Sequence, residues 1–183
     1  EINTIIDVGA NTGQFARKIR MYLPNAFIYS FEPIKECFDE LQINMKNDKK
    51  FKAFNFALGD VEKELDIQKN LSLDSSSFLD TGELHKKKYP NLKIIGYEKV
   101  IVKRLDDIFT DLQLNKDILM KLDVQGYEDK VLHGSDKILS ECQVLIIETS
   151  FREMYKNQAL FDDIFDIARN KGFIYVGNLS GLT

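Results

Sequence analysis

Carboxylates recur in this sequence where runs of apolar residues end. Asp7 lies within Ile5-Ile6-Asp7-Val8-Gly9, Glu32 closes Ser30-Phe31-Glu32-Pro33, and Asp60 closes Ala57-Leu58-Gly59-Asp60. Asp123 follows Met120-Lys121-Leu122, and Glu148 follows Leu145-Ile146-Ile147. An ionised carboxylate only accepts hydrogen bonds, so each position suits a hydroxyl, an ammonium group or a proton in transfer. Glu32 at a strand end can accept both protons of a ribose diol, and Pro33 stops the strand and fixes the turn. Leu58 can cover an adenine face while Asp60 accepts from the adenine amino group. Alternation puts Lys121 and Asp123 on one side of a run that otherwise reads as buried. Charges persist there as an ion pair within the sheet or as part of a site.

The first apolar run continues into Gly9-Ala10-Asn11-Thr12-Gly13 and then an amphipathic stretch. A strand, a small-residue turn and a helix aim backbone N–H groups and a positive helix end across the turn. The dinucleotide fingerprint would need glycine at Asn11 and Gln14, which counts against a nicotinamide cofactor. Asp7, two residues before the first glycine, suits a ligand carrying both an ammonium group and a carboxylate. S-adenosylmethionine has both. The residues expected to hold it are Asp7, Gly9, Ala10, Asn11, Thr12, Gly13, Glu32, Pro33, Leu58, Asp60 and Asp123.

These residues need a scaffold that brings strand ends together. Apolar runs of strand length occur at 2–8, 26–31, 51–57, 117–122, 143–148 and 172–177, with stretches of helical periodicity among them. Phe15, Ala16, Ile19, Tyr22 and Leu23 share one helix face, as do Leu160, Phe161, Ile164, Phe165 and Ala168. Alternating strands and helices predict an α/β fold: a Rossmann-like, doubly wound, mostly parallel sheet with helices on both faces. Six strands are expected, and the composition at 177–181 reads as a turn. The 183 residues fit one domain, 1–183, read as trimmed at both ends because no Met opens it and it stops abruptly.

The connection between the third and fourth runs is too long for a simple crossover. Residues 61–103 read as an insertion, with alternating runs at Glu64–Gln68 and Tyr97–Lys103 around a polar tract. Ser75, Ser76 and Ser77 are candidate acceptor-binding residues, and 70–93 is a candidate lid over the acceptor. His85, beside the Lys86–Lys88 run, reads as solvated, and His133 as a partner of a helix C-terminus. Asp123 and Glu148 are therefore the expected catalytic groups. Asp7, Asp123 and Glu148 would hold a divalent ion only if the fold converged them, and no metal is expected.

Composition narrows the partners. Net charge is −4 with 25 basic and 29 acidic residues, so no global basic field recruits nucleic acid. No apolar run is long enough to span a membrane, and the start lacks the pattern of a signal peptide. Two widely separated cysteines, Cys37 and Cys142, fit a reducing compartment such as the cytoplasm.

The runs IIDVGANTGQF, FEP, FNFALGD, LDDIF, LMKLDVQGYEDKVLHG and VLIIE together resemble the FkbM-like family of S-adenosylmethionine-dependent methyltransferases. The resemblance covers nearly the whole chain, and its ordered D-V-G-A-N-x-G and K-x-D-V-x-G motifs are specific. It implies a class I Rossmann-like fold and O-methylation in glycan, lipid or natural-product pathways. Two departures stand out: Gln125 where the family usually has Glu, and His133 where it usually has Lys. The expected acceptor is a neutral or polyhydroxylated small molecule, glycan or lipid, although the Lys86–Lys88 run would also suit an anionic sugar. Two alternatives stay open: a nicotinamide-dependent oxidoreductase, favoured by Glu32, and a cofactor-binding module without turnover.

Overall fold

The computed structural model describes residues 1–71, 75–91, 93–108, 112, 114 and 117–179. Its centre is a five-stranded, wholly parallel sheet built from β1 (Thr4–Val8), β2 (Phe27–Phe31), β3 (Phe51–Phe54), β7 (Ile118–Leu122) and β8 (Cys142–Ile147). The strand order is β3-β2-β1-β7-β8. β1 and β7 are buried along their whole length, as expected for central strands covered on both faces.

Alternation along the strands feeds two cores. Ile5, Ile28 and Leu119 meet Phe15, Ala16 and Ile19 of α1 (Gln14–Tyr22) and Leu41 and Met45 of α2 (Lys35–Met45). Ile6, Val8, Phe31, Met120 and Leu122 face the other way. There they pack with Leu105 of α4 (Leu105–Ile108), Val131 and Leu132 of α5 (Glu128–His133), Ile138 of α6 (Asp136–Ser140) and Ile164 of α7 (Phe161–Asn170). Helices thus cover both faces. Strand order reverses between β1 and β7, so the crevice beyond their carboxyl ends is where this architecture places ligands.

The third predicted run is two strands. β3 ends at Phe54, and the chain leaves the sheet to form β4 (Ala57–Leu58) in a second sheet. Asn55 pins the corner, its side-chain amide donating to the carbonyls of Glu32 and Pro33 at 3.0 and 2.9 Å. The second sheet has the order β4-β6-β5, with β5 (Lys63–Asn70) antiparallel and β4 parallel to β6 (Ile94–Lys103). Both alternating runs of the insertion are therefore strands. Their inner residues Ile67 and Val100 pack on Ile34, Cys37 and Phe78. A short helix, α3 (Glu83–Lys88), lies between them.

The sixth expected strand does not form. Residues 173–179 join no ladder, because an extended run becomes a strand only by pairing and β8 pairs with β7 alone. Phe173 packs on the core and the Tyr175 ring meets Phe161 and Phe165 edge-on, but Ile174 and Val176 stay 82% and 90% exposed. The candidate turn beyond Leu179 lies outside the described residues.

The second sheet and α5 touch through backbone. A Cβ built on Gly134 would stand 1.9 Å from the Gly59 carbonyl oxygen, whereas one on Gly96 would meet nothing within 4 Å. Gly134→Ala should therefore cost at least about 2 kcal/mol in urea unfolding, as overpacking does, and Gly96→Ala less than about 0.5 kcal/mol.

Candidate active site

The carboxyl ends of β1, β2, β4, β7 and β8 surround a cavity of about 660 Å³. Its far wall comes from the insertion and from the loop after β8. Gly9 turns out of β1 with φ +75°, and a Cβ there would lie 1.8 Å from the Asp123 carbonyl oxygen. Only glycine lets the two loops approach this closely. The N–H groups of Gly9 and Ala10 both donate to the Phe31 carbonyl, that of Asn11 to Glu32 Oε2 at 2.8 Å, and that of Thr12 to Asn11 Oδ1 at 2.7 Å. The turn is thus tied to β2 and to itself, which corrects the expectation that its N–H groups are aimed at a bound anion.

Glu32 is the buried partner in that tie. Its second oxygen, Oε1, accepts from the Ile34 N–H at 2.8 Å. Burial pushes its pKa up from 4.5 to about 7, even though both N–H donors favour the charged form.

Below the turn a polar row crosses the sheet. Register sets Ser30 beside Asp7 and Asp7 beside Lys121 on adjacent strands. Asp7 is fully buried, accepts from Ser30 Oγ at 3.3 Å and lies 3.3 Å from Lys121 Nζ. Lys121 also donates to the Gly9 carbonyl at 2.9 Å and stands 3.6 Å from Asp123 Oδ2. Burial alone would lower the Lys121 pKa, but Asp7 and Asp123 outweigh it and raise it. Burial raises that of Asp7 against the pull of Lys121.

β7 ends in a left-handed turn, with φ +54° at Gln125 and +97° at Gly126. Glu128 closes it by accepting from the N–H groups of Val124 and Gly126, each at 3.0 Å. The Gln125 amide nitrogen then donates to Asp123 Oδ1 and Glu148 Oε2, each at 2.9 Å. Tyr155 donates to Gln125 Oε1 at 2.8 Å, and Ser77 to the Gln125 carbonyl at 2.7 Å. Glu148 sits on the lip of the cavity with its outer surface exposed and its carboxyl turned inward against Asp123. Desolvation of that carboxyl and its hydrogen bond and proximity to Asp123 push it up to about 8. Asp123 goes the other way: burial is outweighed by Lys121 and by hydrogen bonds from Glu148 and Gln125.

Of the residues expected from sequence, Gly9, Ala10, Asn11, Glu32, Pro33, Leu58, Asp123, Glu148, Ser75 and Ser76 line the cavity. Asp7, Thr12, Gly13, Asp60 and Ser77 do not. Asp7 turns into the sheet toward Lys121 instead of meeting a ligand's ammonium group. The Thr12 carbonyl accepts from Asn44 of α2, and Gly13 backs onto Leu41. Asp60 lies beyond Gly59 on the side of Tyr127, and the Ser77 hydroxyl is engaged by Gln125. His85 is not solvated: it is buried against the Tyr155 and Tyr89 rings, and burial together with Lys88 lowers its pKa. His133 is exposed at the end of α5, as expected. Among the described residues no three His, Cys, Asp or Glu side chains group as a metal site requires. Sequence reasoning missed Gln125, Glu128 and Tyr155. An acidic residue just past a glycine turn signals Glu128, and nothing local signals Tyr155.

A family model described as the methyltransferase FkbM domain matches residues 7–175, which contain every element of this site. The chain belongs to the FkbM methyltransferase family. It is 27% identical over 169 residues to the 2-O-methyltransferase NoeI of Sinorhizobium fredii, covering 89% of this chain and 70% of that protein. It is 31% identical over 194 residues to the methyltransferase sdnD of Sordaria araneosa, covering 91% and 75%. It also matches the AMB antimetabolite synthetase AmbE of Pseudomonas aeruginosa at 25% identity, over 92% of this chain but 9% of that one. No solved structure matches it. Membership in a methyltransferase family replaces the nicotinamide-dependent oxidoreductase alternative.

Glu32 gives this FkbM methyltransferase a distinctive pH response. Its pKa is higher folded than unfolded, so between about pH 4.5 and 7 the native state binds more protons and stability falls as pH rises. Urea unfolding across pH 5 to 8 should show that decline in the wild type and a shallower one in Glu32→Gln.

Proposed function

We propose that the cavity binds S-adenosylmethionine and that the enzyme methylates a hydroxyl of a glycan, lipid or natural-product acceptor. The carrying observation is that Glu148, joined to Asp123 through the Gln125 amide, lines one cavity with the buried Glu32 at the carboxyl ends of the strands. The residues fit the cofactor in kind. Glu32 keeps lone pairs beyond its two backbone donors for a ribose diol, Leu58 and Ile34 supply apolar wall, and Asp123 supplies negative charge for an ammonium group. When bound, S-adenosylmethionine supplies an electrophilic methyl group on a sulfonium.

The protein's own work is orientation and proton removal. The clamped turns at Gly9 and Gln125 hold their side chains without reorganisation, which favours alignment in a water-poor cleft. Glu148 in its ionised form takes the proton of the acceptor hydroxyl, and a pKa near the working pH suits a general base. Asp123 and the Gln125 amide hold Glu148 in place. The described residues of the insertion, 61–103, serve as the acceptor wall, with those within 70–93 its covering part. Similarity to NoeI, a 2-O-methyltransferase, supports oxygen as the acceptor atom. A cytoplasmic setting accords with this reading, since Cys37 and Cys142 are free and burial pushes their thiols up to about 12 and 11. No described helix is long and apolar enough to cross a membrane.

Calorimetry with S-adenosylmethionine and transfer of a tritiated methyl group to extract of the source organism test the proposal together. Glu32→Ala should weaken cofactor binding at least about tenfold in a folded protein, from loss of charge-assisted hydrogen bonds. Glu148→Gln should keep cofactor affinity, lose roughly 100-fold in kcat and lose the rise in rate through about pH 8. Unchanged affinity in Glu32→Ala refutes the cofactor placement. Binding with no transfer to any material refutes the enzyme reading in favour of a binding module.

A further inference from the structure

The insertion and the loop after β8 bring two exposed cations to the cavity wall that are unpaired among the described residues. Lys88, the last residue of α3, and Arg152, in the loop after β8, both line the cavity. Neighbouring cations are paired: Lys86 with Glu83 at 2.9 Å, and Lys156 with Asp80 at 3.2 Å. Among the described residues Lys88 and Arg152 have no such partner, and the Lys88 ammonium rests over the Tyr89 ring at 5.2 Å. Among the described residues none of the cavity's own carboxylates pairs with either cation: Glu32 and Glu128 accept from backbone N–H groups, and Asp123 and Glu148 from Gln125.

The two cations are mounted on one wall. Thr81 bridges Tyr155, the Gly82 N–H donates to the Met154 carbonyl at 2.8 Å, and the His85 and Tyr155 rings meet at a tilt, 5.1 Å apart. These contacts fasten α3 to the loop that carries Arg152. His85 is buried against the Tyr89 and Tyr155 rings, and burial and Lys88 lower its pKa. An ammonium and a guanidinium on a shared wall suit an oxyanion, the guanidinium by its planar fork and the ammonium as a point charge.

We propose that the acceptor is a polyhydroxylated molecule bearing a carboxylate, sulfate or phosphate group, which Lys88 and Arg152 bind while a hydroxyl faces Glu148. The inference rests on the methyltransferase reading and narrows its acceptor from neutral to anionic. Extract of the source organism is separated by anion exchange, and each fraction is incubated with enzyme and tritiated S-adenosylmethionine. Label should appear in the retained, anionic material. The double variant Lys88→Ala/Arg152→Ala should lose at least about tenfold in kcat/KM on that material, mainly through KM, with cofactor affinity by calorimetry unchanged. Label confined to the unretained, neutral material overturns the inference and leaves the methyltransferase reading standing. So does a double variant that folds, binds cofactor and methylates retained material like the wild type, whereas label in no fraction overturns both.

Discussion

One buried ammonium holds the two halves of the site together. Lys121 stands in β7 beside β1, flanked by Asp7, Asp123 and the Gly9 carbonyl. A charge removed from water at that depth is tolerated only when its partners are close and well placed. Lys121 therefore sets the positions of three groups at once: a carboxylate in β1, the carbonyl that begins the glycine turn, and the carboxylate that opens into the cavity. Ser30 extends the row to β2, so three adjacent strands are tied by polar contacts at their functional ends. The Phe15 ring, 5.7 Å from the ammonium, closes the row from the helix side.

The outer half of the site hangs on Gln125. Its left-handed backbone exposes the carbonyl to Ser77 of the insertion, and its amide spans Asp123 and Glu148 while accepting from Tyr155. The second sheet, the β7 turn and the loop after β8 thus converge on one residue. A glutamate here would add a third carboxylate to a pair in which burial and Asp123 already raise Glu148. A neutral amide donates to both instead.

Much of the scaffold was legible because burial imprints itself locally. Thr4–Val8 and Ile118–Leu122 read as central strands since both faces are covered, and the carboxylates at their ends follow from chain direction alone. What stayed hidden depends on partners distant in sequence. Phe173 to Val176 has strand composition, but a strand is a pairing and this segment has none. Phe51 to Ala57 reads as one run because the Asn55 contacts that break it reach back to Glu32 and Pro33. Asp7 looks like a ligand-facing carboxylate until register places it beside Lys121, and His85 looks solvated until Tyr155 arrives from seventy residues later.

A double-mutant cycle on Asp7 and Lys121, read by urea unfolding at pH 7, tests most directly the claim that the buried ammonium organises the site. Lys121→Met alone should cost about 3 to 5 kcal/mol, because it strands the Asp7 carboxylate in the sheet. Adding Asp7→Asn should restore at least about 1.5 kcal/mol of that loss, the signature of direct coupling. Additive effects, with the double variant as unstable as the two single losses combined to within about 0.5 kcal/mol, would contradict the account.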